Sequence, residues 1–149
     1  MCIRDSRRPD LAQNSFTADG FFRTGDFFIV RDERHIGFFD RKKDIIIRGG
    51  FNISAAEVEN LVLTHPGVQE VAAVAVPDEI MGEKTCIYVV PKDKARLPTL
   101  EDIVDHLKQI GVAVYKLPEH IEYLDIIPRN PVGKILKAQL RQRVHASGA

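Results

Sequence analysis

The sequence is short of cysteine, of net charge and of long apolar runs. Cys2 and Cys86 are its two cysteines, too few for a disulfide framework or a set of metal ligands. They are typical of a reducing compartment, and since no signal peptide is visible we expect a cytoplasmic protein. The longest apolar run, VAAVAV at residues 71–76, has the length of a strand, whereas a membrane-spanning helix needs about 18 residues. The sequence therefore predicts no transmembrane segment.

The opposite charges cancel. The chain has 21 basic and 21 acidic residues, so no bulk electrostatic attraction favours nucleic acid or an anionic membrane. Of its 149 residues, 44% are hydrophobic and 28% are charged, which is typical of a globular protein. This length predicts one compact domain with room for part of a second.

The hydrophobic pattern predicts an α+β fold. Two apolar runs around the polar turn RDERH indicate a β-hairpin over 26–41, and strands and amphipathic helices follow from residue 44. The predicted strands are 44–50, 68–76, 85–90 and 120–127, and the predicted helices begin after Ser54, after Thr99 and at residue 135. We expect a small mixed sheet covered by two or three helices. Residues 1–14 show no periodicity and are predicted to be an extended tail, and the sequence leaves open whether residues 1–7 are native.

The loop PRNPVGK, residues 128–134, is the first candidate for chemistry. Two prolines stiffen it, and Gly133 gives its backbone freedom beside a single lysine, Lys134. A lysine on such a loop can be delivered to an anion as a point charge. The spacing is not that of a phosphate-binding P-loop, since Ile135 stands where that motif has serine or threonine. Taken alone, an exposed lysine in a turn before a helix is the simpler explanation.

Two further segments carry candidate binding residues. DRKKD at 40–44, followed by Arg48 and the pair Gly49–Gly50, places four basic residues near glycines that permit close backbone approach to a ligand. In ADGFFRTGD at 18–26, Asp26 follows a Thr-Gly turn and can accept hydrogen bonds from the two hydroxyls of a ribose. Taken singly, each segment is better explained as an ordinary turn.

No other catalytic or metal-binding set is recognisable in the sequence. The five histidines show no metal-ligand spacing, and no serine–histidine–aspartate or cysteine–histidine set is present. We therefore expect no metal site in this chain. Cys86 alternates within a strand and is predicted to be a buried apolar residue.

The three loops gain weight from their order and spacing. GFFRTGD at 20–26, DRKKDIIIRGGFNISAAEVE at 40–59 and PRNPVGKILK at 128–137 resemble the C-terminal end of the adenylate-forming (AMP-binding) enzymes. That superfamily includes acyl-CoA synthetases, aryl-acid ligases, luciferases and peptide-synthetase adenylation domains. The last motif, with YKLPE at 115–119, is most similar to the acyl-CoA synthetase branch. The resemblance implies conversion of a carboxylic acid and Mg-ATP to an acyl-adenylate, and then acyl transfer to a thiol, usually that of CoA.

The resemblance implies a role for particular residues. Lys134 matches the catalytic lysine that reaches the α-phosphate and the substrate carboxylate in the adenylation step. Asp26 matches the residue that binds the ribose hydroxyls of ATP and AMP, and Arg41 matches one that contacts the ribose or phosphate. Lys43 stands at the hinge about which the small C-terminal domain rotates between the two steps. Gly49–Gly50 would leave room for the pantetheine arm of CoA in the second step.

The resemblance also implies what this chain lacks. The family's large N-terminal domain supplies a phosphate loop, the Mg²⁺-binding acidic residue, the adenine site and the acyl pocket, and none of these motifs precedes residue 14. We expect a fragment in which residues 15–43 are the hairpin and hinge that end the large domain, and residues 44–149 are the small C-terminal domain. The carboxylic acid, ATP and CoA would be its substrates and the missing domain its partner. Alone it would have little or no ligase activity.

Other functions stay open. A free-standing module of the same fold could bind a carrier protein or partner subunit through the Gly49–Gly50 face. A fragment of an aryl-acid AMP ligase or of a peptide-synthetase adenylation domain would share the same motifs. A nucleic-acid module that uses Arg41, Lys42, Lys43 and Arg48 is disfavoured by the neutral charge and by the lack of interleaved aromatic residues.

Overall fold

The computed structural model describes residues 15–146 of the chain, with side chains for residues 15–144. The predicted tail, residues 1–14, lies outside the described residues. The described part of the chain forms two compact units, which divide between Lys43 and Asp44. The first unit contains a hairpin, and the second contains a five-stranded sheet with helices.

The first unit is built on a hairpin of strands β1 (Asp26–Val30) and β2 (Ile36–Arg41), which pair antiparallel. Its turn is closed by Asp32, whose Oδ1 accepts hydrogen bonds from the backbone N–H groups of Arg34 and His35, both at 2.9 Å. Aspartate does this well because its short side chain reaches the amides that follow it in a turn. The predicted hairpin is confirmed.

The second unit contains a mixed sheet. Its strands in chain order are β3 (Ile45–Arg48), β4 (Phe51–Ser54), β5 (Val68–Asp78), β6 (Gly82–Pro91) and β7 (His120–Tyr123). Their spatial order is β4-β3-β6-β5, and β7 pairs with β6 in parallel while the other pairs of this described sheet are antiparallel. The two longest strands, β5 and β6, form a hairpin with β5 at the edge of the sheet.

Three helices of the described chain cover the two faces of the sheet. Helices α1 (Ala55–Val62) and α2 (Leu100–Gln109) pack on one face, and α3 (Lys137–Ala146) packs on the other. A complete capping box begins α2. Thr99 Oγ1 accepts from the N–H of Asp102 at 3.1 Å, and the Asp102 carboxylate accepts from the N–H of Thr99 at 2.9 Å.

Strand β5 shows why its sequence is a continuous apolar run. Val71 and Ala73 belong to the core under α1 and α2, whereas Ala72 and Val74 belong to the core under α3. Alternate residues of a strand point to opposite faces, so a strand covered on both sides is apolar throughout. The predicted α+β fold, a mixed sheet covered by helices and preceded by a hairpin, is confirmed. Cys86 is fully buried, as predicted.

Strand β4 was not predicted from the sequence. It has four residues, FNIS, two of them polar, and Ser54 also serves as the N-cap of α1. The turn before it is Gly49–Gly50, whose φ angles of +53° and +84° suit a two-residue hairpin turn. The glycine pair therefore connects two strands rather than ending one.

Several boundaries differ from the prediction: β3 is shorter, β5 and β6 are longer, and β7 and α3 are shifted at one end. Strand β7 ends at Tyr123 instead of residue 127. Helix α3 begins at Lys137 instead of Ile135, because Ile135 forms an isolated β-bridge with Arg129. The N–H of Leu136 donates to the carbonyl of Pro128 at 2.9 Å, which keeps this segment extended.

Candidate functional site

In the first unit, the register of the hairpin sets Asp26 opposite Arg41. The N–H of Lys42 donates to the carbonyl of Gly25 at 2.8 Å, which closes the open end of the hairpin. The Asp26 carboxylate lies 3.7 Å from Nε of Arg41. This distance exceeds that of a hydrogen bond, so the carboxylate keeps acceptor positions for a ligand.

A Thr-Gly turn positions Asp26. Its N–H donates to Thr24 Oγ1 at 3.1 Å, and Gly25 has a φ of +76°, a conformation that favours glycine. The turn and the open end of the hairpin line one open cavity of about 790 Å³, a volume typical of small-molecule sites. Its lining residues are Phe22, Thr24, Gly25, Asp26, Arg41, Lys42 and Lys43. The structure thus brings three residues singled out from the sequence, Asp26, Arg41 and Lys43, to a single cavity.

Sequence reasoning missed the role of Asp40, which does not line this cavity but lies directly before Arg41. Asp40 is buried, and its Oδ1 accepts from the N–H of Arg41 at 2.7 Å. The bond restrains the backbone from which Arg41 projects. The signal in the sequence was a carboxylate that stands between two phenylalanines and a run of basic residues.

In the second unit, Lys134 lies on a tight turn that is hydrogen-bonded at both ends. The N–H of Asn130 donates to the carbonyl of Lys134 at 2.9 Å, and the N–H of Gly133 donates to the carbonyl of Asn130 at 2.9 Å. The side chain of Lys134 is exposed, and its Nζ makes no hydrogen bond or ion pair with any residue between 15 and 144. A restrained backbone therefore carries an ammonium group that is available to an anion.

Asn130 organises this turn, a role that sequence reasoning did not assign. Its Oδ1 accepts from the N–H of Lys134 at 2.8 Å and from the N–H of Val132 at 3.2 Å. Gly133 adopts a φ of +83°. An asparagine followed by proline and, three residues on, by glycine is typical of such a turn, and this was the signal to follow.

The Gly49–Gly50 pair forms the exposed turn between β3 and β4. The N–H of Gly49 donates to the carbonyl of Met81 at 2.8 Å. A Cβ added at Gly49 would lie 3.2 Å from the Met81 sulfur, whereas one added at Gly50 would meet nothing within 4 Å. Gly50 therefore borders open space, and Gly49 is restricted by packing as well as by its φ.

The turn of residues 130–134 that carries Lys134 (the lysine turn) and the Gly49–Gly50 turn (the glycine turn) lie at opposite ends of the β5–β6 hairpin. Arg48, directly before the glycines, pairs with Gly82, which pairs with Asp78 at the end of β5. At the start of β5, Glu70 binds Arg129, which flanks the lysine turn. Glu70 and Asp78 are eight positions apart in one strand, or roughly 26 Å at about 3.3 Å per residue. One small ligand cannot contact both turns at once.

Ion pairs support the glycine turn. Arg48 binds Glu119 through two hydrogen bonds of 2.8 Å, which raise the pKa of Arg48. At the tip of the β5–β6 hairpin, the ammonium group of Lys84 and then the amide of Met81 lower the pKa of Asp78 to about 2. A carboxyl group with a pKa of about 2 is ionised at neutral pH, so the ion pair of Asp78 with Lys84 persists there.

Between residues 15 and 144, no group of three or more His, Cys, Asp or Glu side chains is arranged to hold a metal ion. No helix of the described chain is both long and apolar enough to cross a membrane.

The comparisons with known proteins identify the family. Residues 57–134, just over half of the chain, match the model of the AMP-binding enzyme C-terminal domain. The chain belongs to this family of adenylate-forming enzymes, whose C-terminal part it represents.

Particular relatives are much longer proteins, of which this chain matches a part. The 2,3-dihydroxybenzoate-AMP ligase of Bacillus subtilis is 40% identical over 130 residues, 87% of this chain and 24% of that protein. The medium-chain fatty-acid–CoA ligase of Escherichia coli is also 40% identical, over 91% of this chain and 24% of that protein. ATP-bound MatB from Rhodopseudomonas palustris superimposes with a TM-score of 0.79 at 33% identity, over 92% of this chain and 27% of that chain. The chain thus spans about a quarter of the length of the relatives it matches.

Proposed function

We propose that this chain provides the C-terminal part of an acyl-CoA synthetase, which converts a carboxylic acid, ATP and CoA to acyl-CoA, AMP and diphosphate. In the first step a carboxylate oxygen of the acid bonds to the α-phosphorus of ATP and diphosphate leaves. In the second step the CoA thiolate bonds to the acyl carbon and AMP leaves. Small-domain residues serve the two steps from different surfaces.

The observation that carries the proposal is the geometry of Lys134. Its turn is held by Asn130, and its ammonium group has no partner among the described residues. Adenylation brings an anionic carboxylate against an anionic phosphate, and negative charge grows on the phosphate oxygens in the transition state. A positioned cation stabilises that charge without reorganisation. Lys134 would therefore act in adenylation and not in thioester formation.

The cavity of the first unit would bind the nucleotide. Asp26 would accept hydrogen bonds from the two ribose hydroxyls, and Arg41, 3.7 Å away, would contact the ribose or a phosphate. Lys43 would be the hinge residue at the end of this unit. Magnesium would arrive with ATP, and we expect its carboxylate ligand outside the described residues.

The second step would use the opposite end of the small domain. Gly50 borders open space at the turn, so a pantetheine arm could pass close to the backbone there. Because this turn and the lysine turn lie at opposite ends of the β5–β6 hairpin, a rotation about Lys43 would exchange them at one reaction centre.

We propose CoA as the thiol that accepts the acyl group. An aryl-acid AMP ligase and a fatty-acid–CoA ligase are equally identical to this chain, at 40%. The motif RNPVGK with YKLPE before it favours CoA. The alternative is a ligase of an aryl acid or amino acid that delivers the acyl group to a carrier protein.

A hybrid enzyme tests the proposal. This chain replaces the aligned segment of the E. coli medium-chain fatty-acid–CoA ligase, and two half-reactions are measured. ATP–diphosphate exchange reports adenylation, and acyl-CoA release from synthetic acyl-adenylate reports the second step. We expect Lys134→Ala to lower exchange by about 100-fold or more, since a transition-state cation is lost, while the second step stays within about threefold.

Lys108→Ala is the matched control, since Lys108 is an exposed lysine of α2 that pairs with Asp105 at 3.3 Å. Both half-reactions should be unchanged in this variant. Equal loss of both steps in Lys134→Ala contradicts the assigned role. A folded hybrid with wild-type Lys134 that makes no adenylate contradicts the proposed function. Comparison of CoA with a pantetheinylated carrier protein as acceptor tests the thiol.

A free-standing binding module is the second candidate, favoured by apolar side chains beside the glycine turn. Phe51, which follows Gly50, is 53% exposed and stacks on Tyr115 at 4.6 Å between ring centroids. Titration of the isolated chain with a pantetheinylated carrier protein tests this function. Saturable binding that Phe51→Ser abolishes would favour it.

A further inference from the structure

Three basic residues flank or form the lysine turn, and two of them are bound. Arg129 lies five positions before Lys134, and Lys137 lies three positions after it. Each of these two side chains makes an ion pair with a glutamate, whereas Lys134 makes none with the described residues. The pattern separates the candidate catalytic cation from two cations with a structural role.

On the N-terminal side, Arg129 ties the turn to strand β5. Its Nη2 donates to Oε2 of Glu70 at 2.7 Å, and its Nη1 donates to the carbonyl of Gly133 at 2.9 Å. The guanidinium thus bridges the edge strand and the residue directly before Lys134. The pair is well exposed, with 43% of the Arg129 side chain and 39% of the Glu70 side chain accessible, so solvent weakens it.

On the C-terminal side, Lys137 binds Glu59 of α1 at 2.7 Å. The same oxygen, Oε1, accepts from the backbone N–H of Ala73 at 2.8 Å. Only 14% of the Lys137 side chain and 16% of the Glu59 side chain are accessible. This ion pair is therefore better shielded from solvent than the Arg129–Glu70 pair, and loss of one partner leaves a charge in a poorly solvated position.

Both glutamates act at the free edge of β5. Glu70 belongs to the strand, and Ala73, three residues further on, presents an edge N–H that Glu59 satisfies. The two attachment points are roughly 10 Å apart at about 3.3 Å per residue. Lys134 lies between Arg129 and Lys137 in sequence, so both sides of its turn are linked to β5, directly through Glu70 and indirectly through Glu59.

We propose that Glu59, assisted by Glu70, is a positioning residue that aims Lys134 during adenylation. This inference rests on the proposed function for the role of Lys134, but the fastening itself can be tested without any activity. Glu59 acts through Lys137 and holds the C-terminal end of the turn, while Glu70 acts through Arg129 and holds the other end. The greater burial of the Glu59 pair predicts that its loss has the larger effect.

The first test measures hydrogen exchange in the full chain at the amides of Lys134 and Leu136, which are both hydrogen-bonded. We expect Glu59→Gln, which keeps an acceptor for Ala73, to speed exchange of both amides by about tenfold, since local opening becomes easier. Glu70→Gln should give a smaller increase. Asp105→Asn, which removes an exposed ion pair of α2, is the matched control and should change neither amide.

The second test uses the hybrid ligase. We expect Glu59→Gln to lower ATP–diphosphate exchange by about tenfold, because a misplaced catalytic group loses rate steeply with distance. Thioester formation from supplied acyl-adenylate should not change. Lys137→Arg should restore exchange relative to Lys137→Met, because arginine keeps the ion pair. A merely structural role would lower both half-reactions and the unfolding midpoint together.

The outcomes separate the two proposals. If wild-type hybrid enzyme makes no adenylate, the proposed function fails, and hydrogen exchange still decides whether Glu59 fastens the turn. If amide exchange is unchanged in Glu59→Gln, the positioning role is wrong. Faster amide exchange with unchanged adenylation also overturns it. Should Glu59→Gln unfold the chain, the exposed Glu70→Gln variant keeps both measurements available.

Discussion

Thr85 carries a hydroxyl group that is buried in a mainly apolar strand. It lies in the middle of β6 with no exposed surface, and its Oγ1 has no hydrogen-bond partner in the described part of the chain. A hydroxyl that leaves water without a replacement partner costs free energy.

We expect Thr85→Val to raise the free energy of unfolding by about 1 kcal/mol, since it removes the unsatisfied hydroxyl at nearly constant shape. Urea unfolding followed by circular dichroism measures the change. Thr64→Val is the opposite control, because Thr64 Oγ1 donates to the carbonyl of Leu61 at 2.6 Å and its loss should destabilise. A Thr85→Val protein that is less stable than wild type would mean that the hydroxyl is satisfied.

Gly50 allows a residue-scale test of the thioester step. Gly50 and Gly111 have nearly equal φ angles, +84° and +81°, and a Cβ added at either meets nothing within 4 Å. Leucine at either site should therefore cost similar backbone strain, about 1 kcal/mol. In the hybrid ligase we expect Gly50→Leu to slow acyl-CoA release from acyl-adenylate by about tenfold through steric exclusion of the thiol arm, while adenylation is unaffected.

Gly111→Leu, at the end of α2, should leave both steps unchanged. Equal effects of the two leucine variants would assign the loss to strain rather than to the acceptor path. The comparison is informative because stability enters both variants in the same way.

At the scale of elements, two histidines meet where the segment after α1 approaches α2. The rings of His65 and His106 meet edge to face, with centroids 5.3 Å apart. His65 Nδ1 accepts from the N–H of Gly67 at 3.1 Å, which requires that nitrogen to be unprotonated. Burial, and then the nearby charge of His106, lower the pKa of His65, whereas Asp102 acts in the opposite direction and Lys92 in the same direction.

This arrangement predicts that stability falls on acidification. A histidine whose folded-state pKa is lowered binds fewer protons in the folded state than in the unfolded state. Its contribution is complete above the ordinary pKa of about 6.5 and is lost as the pH falls through the lowered value. We expect wild type to lose more free energy of unfolding than His65→Gln between pH 7 and pH 5. Equal losses would show that His65 does not contribute.

At the scale of the whole molecule, the first unit exposes many apolar side chains. On β1 and β2, Ile29, Val30, Ile36 and Phe38 are each more than half exposed. Val30 and Ile36 are cross-strand partners, and neighbouring exposed apolar side chains of this kind are typical of an interface. It is consistent with the proposal that the hairpin belongs to a larger domain.

We expect the isolated chain to show no ligase turnover with ATP, CoA and a panel of carboxylic acids. The chain spans about a quarter of its relatives' length, and we expect the acyl pocket and the Mg²⁺ ligand outside it. Mass-spectrometric detection of acyl-CoA measures this. Turnover by the isolated chain at about 1–1000 per second, the ordinary range of enzymes, would contradict this prediction. The hybrid ligase serves as the positive control.

The sequence by itself determined the local elements of this protein. The start of α2 after Thr99, the hairpin around the polar turn RDERH and the strand β5 each depend on residues a few positions apart, so the pattern predicted them. The order of the loops also sufficed to indicate the adenylate-forming family. The sequence pattern did not reveal β4, because four residues, two apolar and two polar, show too little periodicity to indicate a strand.

Only the tertiary structure decided how the candidate site is assembled. Strand pairing brings Asp26 beside Arg41 in one cavity and separates the lysine turn from the glycine turn along the β5–β6 hairpin. The packing of the loops and helices against the sheet also brings Arg129 to Glu70, 59 positions away, and Lys137 to Glu59. The physical reason is that alternation of apolar residues specifies which face of a strand is buried, whereas its neighbours and register follow from the packing of the whole domain.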